Sequence, residues 1–193
     1  MLIVHWVIMF AIPFFIVEVV KCYGYATINY GLHDCGNRGD MWGIMVAAIF
    51  CMLTVGLYWL LSGPLGYNIK SALAQGFFPD DDLLKILAIA YFIIVKPYVE
   101  EWFWRRYNYD IFPYDELHFW LVSFFFALTY TVIALNIGTQ MYWALIVCLC
   151  FTALGRFLIY MRWVHGTGAN YVTHMGIAAG VVVSYFLADA GKF

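Results

Sequence analysis

The sequence predicts an all-α membrane protein, a polytopic bundle of about six transmembrane helices, built as one integral membrane domain over residues 1–193. Three observations predict it. Hydrophobic residues make up 65% of the chain and charged residues only 11%, whereas soluble domains run near ~45–50% and ~25%. The apolar residues gather in blocks of about 20, the length that crosses roughly 30 Å of hydrocarbon. The breaks between blocks are rich in Gly, Pro, Asn and Asp, which turn a chain. This composition excludes a disordered chain, a nucleic-acid module and a typical cytosolic enzyme. The net charge of −2 implies no polyanionic partner. The blocks are too long for barrel strands, so helices must satisfy the backbone in lipid.

The spans follow in order at 2–20, 42–62, 83–107, 117–135, 141–162 and 170–188. The first begins MLIVHWVIMF with no basic lead, which reads as a retained span and not a removed signal. NYGLHDCGNRGD separates it from the second. SGPLGYN is a Gly/Pro breaker after the second span, and Tyr67–Phe78 is expected as a short amphipathic helix along the interface. FPDDD supplies carboxylates that cap the third span. YDIFPYDE, NIGTQ and HGTGAN are the remaining turns. Both termini then share one side. The opposite face carries Lys21, Arg38, Arg105, Arg106 and Arg162, with Arg156 nearby, and the positive-inside rule makes it cytoplasmic. Cys22 and Cys35 flank a loop that this orientation leaves in a reducing compartment, which argues against a bridge. Cys51, Cys148 and Cys150 read as small core side chains.

The third span holds Lys96, Glu100, Glu101, Arg105 and Arg106. A charge at the bilayer centre costs about 2.5–3.5 kcal/mol on insertion scales, so these residues need partners or a wet cavity. Lys96 and Glu100 are four apart, as are Glu101 and Arg105, and both pairs meet on a helix surface. Pro97 is expected to kink the helix just before the carboxylates. Glu100 and Tyr130 are equidistant in sequence from Asp115, which sets them at similar heights on an antiparallel hairpin. Arg156 is placed about 9 Å inside the cytoplasmic edge. Asn170 and His174 share a face near the start of the sixth span. Glu100, Glu101, Tyr130, Arg156, Asn170 and His174 are therefore expected in one shallow layer.

A desolvated Glu beside a His suits general-base activation of water, and Arg, Tyr or Asn donors suit a developing oxyanion. Together they point to amide hydrolysis in or near the membrane. HExxH is absent, so no metal is expected. GxSxG is absent as well, and Ser123 and Ser184 have no evident base. His5, His118 and His174 are the candidates for axial haem ligands, but their depths do not pair, and no cofactor is expected.

Glu100-Glu101-Trp102-Phe103-Trp104-Arg105 resembles the EExxxR signature of the CPBP family, the CAAX prenyl protease and bacteriocin-processing group. SFFFALTY, with Phe126 and Tyr130, resembles that family's FxxxH motif, and GANYVTHMGIAAG, with His174, resembles its HxxxN motif. The resemblance spans about residues 65–190. Tyr130 stands where the motif has histidine, and Ala178 where it has asparagine. The resemblance implies a glutamic-type intramembrane endopeptidase. Glu100 would be its base, Glu101 and Arg105 would position it, and His174 would assist or bind the oxyanion. Tyr130, Arg156, Asn170 and Lys96 would support the site. The two departures raise an alternative, a catalytically inactive CPBP-like subunit that serves as a structural or accessory partner in a larger assembly. The partners implied are membrane lipid, a membrane-associated peptide or protein substrate and other membrane subunits, with no nucleic acid. The location implied is multi-pass in an inner or plasma membrane.

Overall fold

A computed structural model describes residues 37–76, 81–107, 115–136 and 141–189, and every element in it is helical. The expected span 2–20, His5, the Cys22/Cys35 loop and most of the turns lie outside the described residues.

Helix α1 is Asn37–Gly76. Its stretch Met41–Leu60 is long and apolar enough to cross a bilayer. The helix runs on through Ser62-Gly63-Pro64, so SGPLGYN does not end it, and the expected separate helix at Tyr67–Phe78 is instead the last part of α1 as far as Gly76. A proline removes one backbone bond and crowds one carbonyl, which a helix this long absorbs without stopping.

Helix α2, 82–107, is a composite. Asp81 caps it, its carboxylate accepting from the Leu84 amide at 2.9 Å, as the acidic run predicts. Asp82–Ala90 is α-helical, Tyr91–Val95 is a π turn, Lys96–Glu101 is α-helical again, and Trp102–Tyr107 is a second π turn. Pro97 sits in the first turn after the first π segment. The irregularity that proline demands is thus met by a widened turn, with the Lys96 amide reaching back to the Tyr91 carbonyl. Five charged residues between 85 and 105 keep α2 out of the purely apolar class.

Helix α3 is Glu116–Asn136, begun by Asp115, which accepts from the His118 amide at 2.6 Å. The helical run Met141–Asp189 is broken at Gly166, whose φ of 87° and ψ of 173° lie outside the helical region. Only glycine adopts such a φ freely. The break falls within HGTGAN, where a turn is expected, and divides the run into α4 (141–165) and α5 (167–189). Among the described residues the stretches long and apolar enough to cross a membrane are Met41–Leu60 and Met141–Ala188. Unbroken, the run would be about 74 Å long at ~1.5 Å per residue, far more than one crossing.

The most extensive packing joins α1 to the run formed by α4 and α5, followed by α3 to the same run. The α1–α5 seam is made of small residues. A Cβ built on Gly176 would stand 2.4 Å from the Ala47 carbonyl oxygen, and one on Gly43 would stand 2.7 Å from Ala169 Cα. Such backbone approach drives helix association where lipid replaces water. Polar and apolar residues are inverted relative to a soluble protein. Met52, Leu60 and Leu149 face outward at 66%, 69% and 71% exposure, while Lys96, Glu100, Glu101 and Arg105 are buried. Cys148 is buried as expected, but Cys51 is half-buried and Cys150 faces outward.

Candidate functional site

The adjacent acids Glu100 and Glu101 project about 100° apart from α2, as neighbours on a helix must. The imidazole of His174, from α5, fills the angle between them. Its Nε2 lies 3.1 Å from Glu100 Oε2 and its Nδ1 lies 2.7 Å from Glu101 Oε1. Helical spacing supplies the counter-charges, with Lys96 Nζ 3.1 Å from Glu100 Oε2 and Arg105 Nη1 2.6 Å from Glu101 Oε1. From α3, the Tyr130 hydroxyl donates to Glu100 Oε2 at 2.7 Å and accepts from Lys96 Nζ at 2.5 Å. From α5, the Asn170 amide donates to Glu101 Oε2. Seven side chains from three helices thus form one connected network. Lys96, Glu100, Glu101, Arg105, Asn170 and His174 are each no more than 4% exposed.

The bonds are unevenly shared. Glu100 takes all three of its described partners on Oε2, which leaves Oε1 without a described bond. Arg105 Nη2 and Asn170 Oδ1 are buried without a described partner. Both nitrogens of His174 face carboxylate oxygens, so each contact needs its own proton: one on Nδ1 toward Glu101, and one between Nε2 and Glu100. Phe126 is the apolar floor. The Arg105 guanidinium stacks over its ring at 4.2 Å, with Tyr130 and His174 edge-on at 5.1 and 6.0 Å. Phe151, on α4, stacks on Tyr130 at 4.2 Å. No sequence signal distinguishes Phe151 from the other phenylalanines.

Of the eight residues singled out in the sequence, Arg156 does not join the network. Its guanidinium pairs with Glu116 at 2.7 and 2.8 Å and covers the rings of Phe119 and Trp120. Height along a helix does not fix which way a side chain points. Arg156 faces the start of α3. Arg105, counted among the charges that orient the chain, is buried in an ion pair and is no loop charge. Ala178, one turn beyond His174, is buried and brings no polar atom. Ser123, Thr131, Thr173 and Ser184 spend their hydroxyls on carbonyls one turn back in their own helices.

The network lies near one end of the bundle. Trp42 at the start of α1 stacks on His165 at the end of α4, and Phe119 at the start of α3 meets Trp163 edge-on. Arg105 is two residues from the end of α2 and Asn170 three residues into α5. Among the described residues no group of three or more His, Cys, Asp or Glu side chains is arranged to hold a metal ion. The acids and the imidazole of the network instead turn their lone pairs and protons on one another. No family model, curated protein or solved structure matches the chain.

Proposed function

We propose that the chain is a multi-pass integral membrane protein of six helices, in an inner or plasma membrane. In this reading it is a divergent endopeptidase of the CPBP type, hydrolysing a membrane-associated peptide with a Glu-activated water. Tryptophan placement supports the membrane reading. Trp42 and Trp59 on α1 are 17 residues apart, and Trp143 and Trp163 on α4 are 20 apart. At ~1.5 Å per residue these are about 26 and 30 Å, the thickness of the hydrocarbon layer. Tryptophan prefers the two boundaries of that layer.

One observation carries the enzymatic reading: a carboxylate oxygen, Glu100 Oε1, without a described bond inside a network that fixes the rest of its group. A base must keep a lone pair for water while its position is held by other bonds. Lys96, Tyr130 and His174 hold Glu100 by its other oxygen, and Glu101 holds His174. In the reaction Glu100 Oε1 takes a proton from water, and the water oxygen adds to the peptide carbonyl carbon. The negative oxygen so formed meets the donors of this layer, among them Arg105. The proton then passes from Glu100 to the peptide nitrogen as the C–N bond breaks. Tyr130, where the family motif has histidine, works as a donor that orients Glu100.

A second reading, an inactive accessory subunit of a membrane assembly, is favoured by the closure of the network and by the Lys96 ammonium paired with Glu100. Glu100→Gln decides between them. In vesicles carrying a membrane-anchored, quenched-fluorescent peptide library, the unmodified protein should cleave and the variant should be at least about 10²-fold slower while unfolding at a similar temperature. Equal turnover in both ends the endopeptidase reading. So does a stably co-purifying partner together with no turnover in either.

A further inference from the structure

Glu101 is gripped on both oxygens. Arg105 Nη1 donates to Oε1 at 2.6 Å, and the Asn170 amide donates to Oε2. Both gripping side chains are forked. In each, the second prong is buried without a partner among the described residues: Arg105 Nη2, a donor, and Asn170 Oδ1, an acceptor. Arg105 is 1% exposed and Asn170 is 0% exposed. Buried polar atoms are paired as a rule, because an unpaired one forfeits its hydration for nothing.

Local rearrangement does not repair this. Turning the Asn170 amide over would set Oδ1 against a carboxylate oxygen and strand the NH2 group. Arg105 is fixed by its ion pair and by its stack on Phe126 at 4.2 Å. A donor and an acceptor therefore flank one carboxylate and call for a guest that brings an acceptor and a donor of its own. A lipid ester has a carbonyl but no donor. A helical segment has already used both of its backbone groups. In an extended peptide the N–H and C=O of one residue point to the same side.

We propose that Arg105 Nη2 and Asn170 Oδ1 together hold the main-chain carbonyl and amide of one extended substrate residue. This rests on the endopeptidase reading and specifies its substrate as unwound peptide, seated over Glu101 and beside Glu100. Recognition through the backbone is tolerant of side chains, with one exception. Proline and N-alkylated residues have no N–H for Asn170 and are excluded at this position.

The test uses the full chain in mild detergent, with the Arg and Asn side chains labelled for nitrogen NMR. N-methylacetamide, a single peptide group, should saturably shift both the Arg105 guanidinium and the Asn170 amide signals. N,N-dimethylacetamide keeps the carbonyl but lacks the N–H. It should shift Arg105 alone and bind about tenfold more weakly, as expected for one lost hydrogen bond. Asn170→Leu should erase the difference between the two amides. No saturable shift with N-methylacetamide, or an equal response to both amides, overturns the proposal. Because no turnover is read, the two ideas fail separately. A chain that cleaves through Glu100 but does not distinguish the amides keeps the reaction and loses this site. One that distinguishes them without cleaving keeps the site and loses the reaction.

Discussion

Helix α5 has two working faces, and they hold the bundle by different physics. One face presents Ala169, Gly176 and Gly180 to Gly43, Ala47 and Cys51 of α1, with backbones close enough that an added Cβ would collide. The other presents Asn170 and His174 to the acids of α2. In lipid, apolar side chains gain little by leaving their surroundings for one another, so helices associate through close packing or polar bonds. The first seam gains from many weak contacts, each insensitive to protons and ligands. The second depends on a few strong bonds and leaves three polar atoms, Glu100 Oε1, Arg105 Nη2 and Asn170 Oδ1, without described partners. A close-packed seam along one face of α5 thus fixes the helix whose other face carries Asn170 and His174.

The largest effect expected on this comparison comes from the polar face. His174→Leu leaves two buried carboxylates turned toward an apolar side chain, and removing one member of a buried charged set costs about 3–5 kcal/mol. Thermal unfolding in mild detergent should show a drop of that size. A loss below about 1 kcal/mol, the scale of exposed pairs, would mean the network is solvated and contributes little to holding α5. The packed face should respond next. Gly176→Leu forces α1 and α5 apart against a backbone carbonyl 2.4 Å from the new Cβ, for which overpacking of about 1–3 kcal/mol is the ordinary scale. Gly56→Ala, on the outer face of α1 with nothing within 4 Å of its Cβ, should instead stabilise by about 0.5–1 kcal/mol through helix propensity. Loss in both variants would show that added side-chain bulk is not tolerated even away from the seam, which would remove the special status of the seam.

Much of this architecture is readable from residue order, and the reasons it fails elsewhere are specific. The described helices at 41–60, 116–136 and 141–189 follow the apolar blocks because block length and hydropathy are properties of the chain alone. The break in HGTGAN is legible because a glycine there permits a backbone that other residues resist. The meeting of Glu100 with Tyr130 follows from counting equal steps from Asp115, since antiparallel neighbours keep level. Counting steps gives height but not rotation, and Arg156 shows the cost: it lies within α4 yet faces Glu116 and not Glu100. Nor does residue order reveal that α2 carries π turns on both sides of its acids, because such turns answer to packing and have no composition of their own. The continuation of α1 through Gly63-Pro64 is a similar case, where the whole helix outweighs its local breaker.

The smallest effect expected belongs to the arginine that stayed out of the network. Arg156 and Glu116 are bonded at 2.7 and 2.8 Å, but their side chains are 25% and 72% exposed. Exposed ion pairs contribute about 0–1 kcal/mol, because water and salt already solvate both partners. Arg156→Gln should therefore change the unfolding temperature little, and on the proposed endopeptidase reading it should leave turnover of the vesicle-borne peptides unaltered. On the proposed membrane reading that end of the bundle lies at a wet boundary, where the exposed Trp42, Trp120 and Trp163 belong. Were Arg156→Gln to cost as much as His174→Leu, the pair would be desolvated by lipid. The tryptophans would then mark no boundary, and the acid network would lie deeper in the bilayer than the proposed membrane placement puts it.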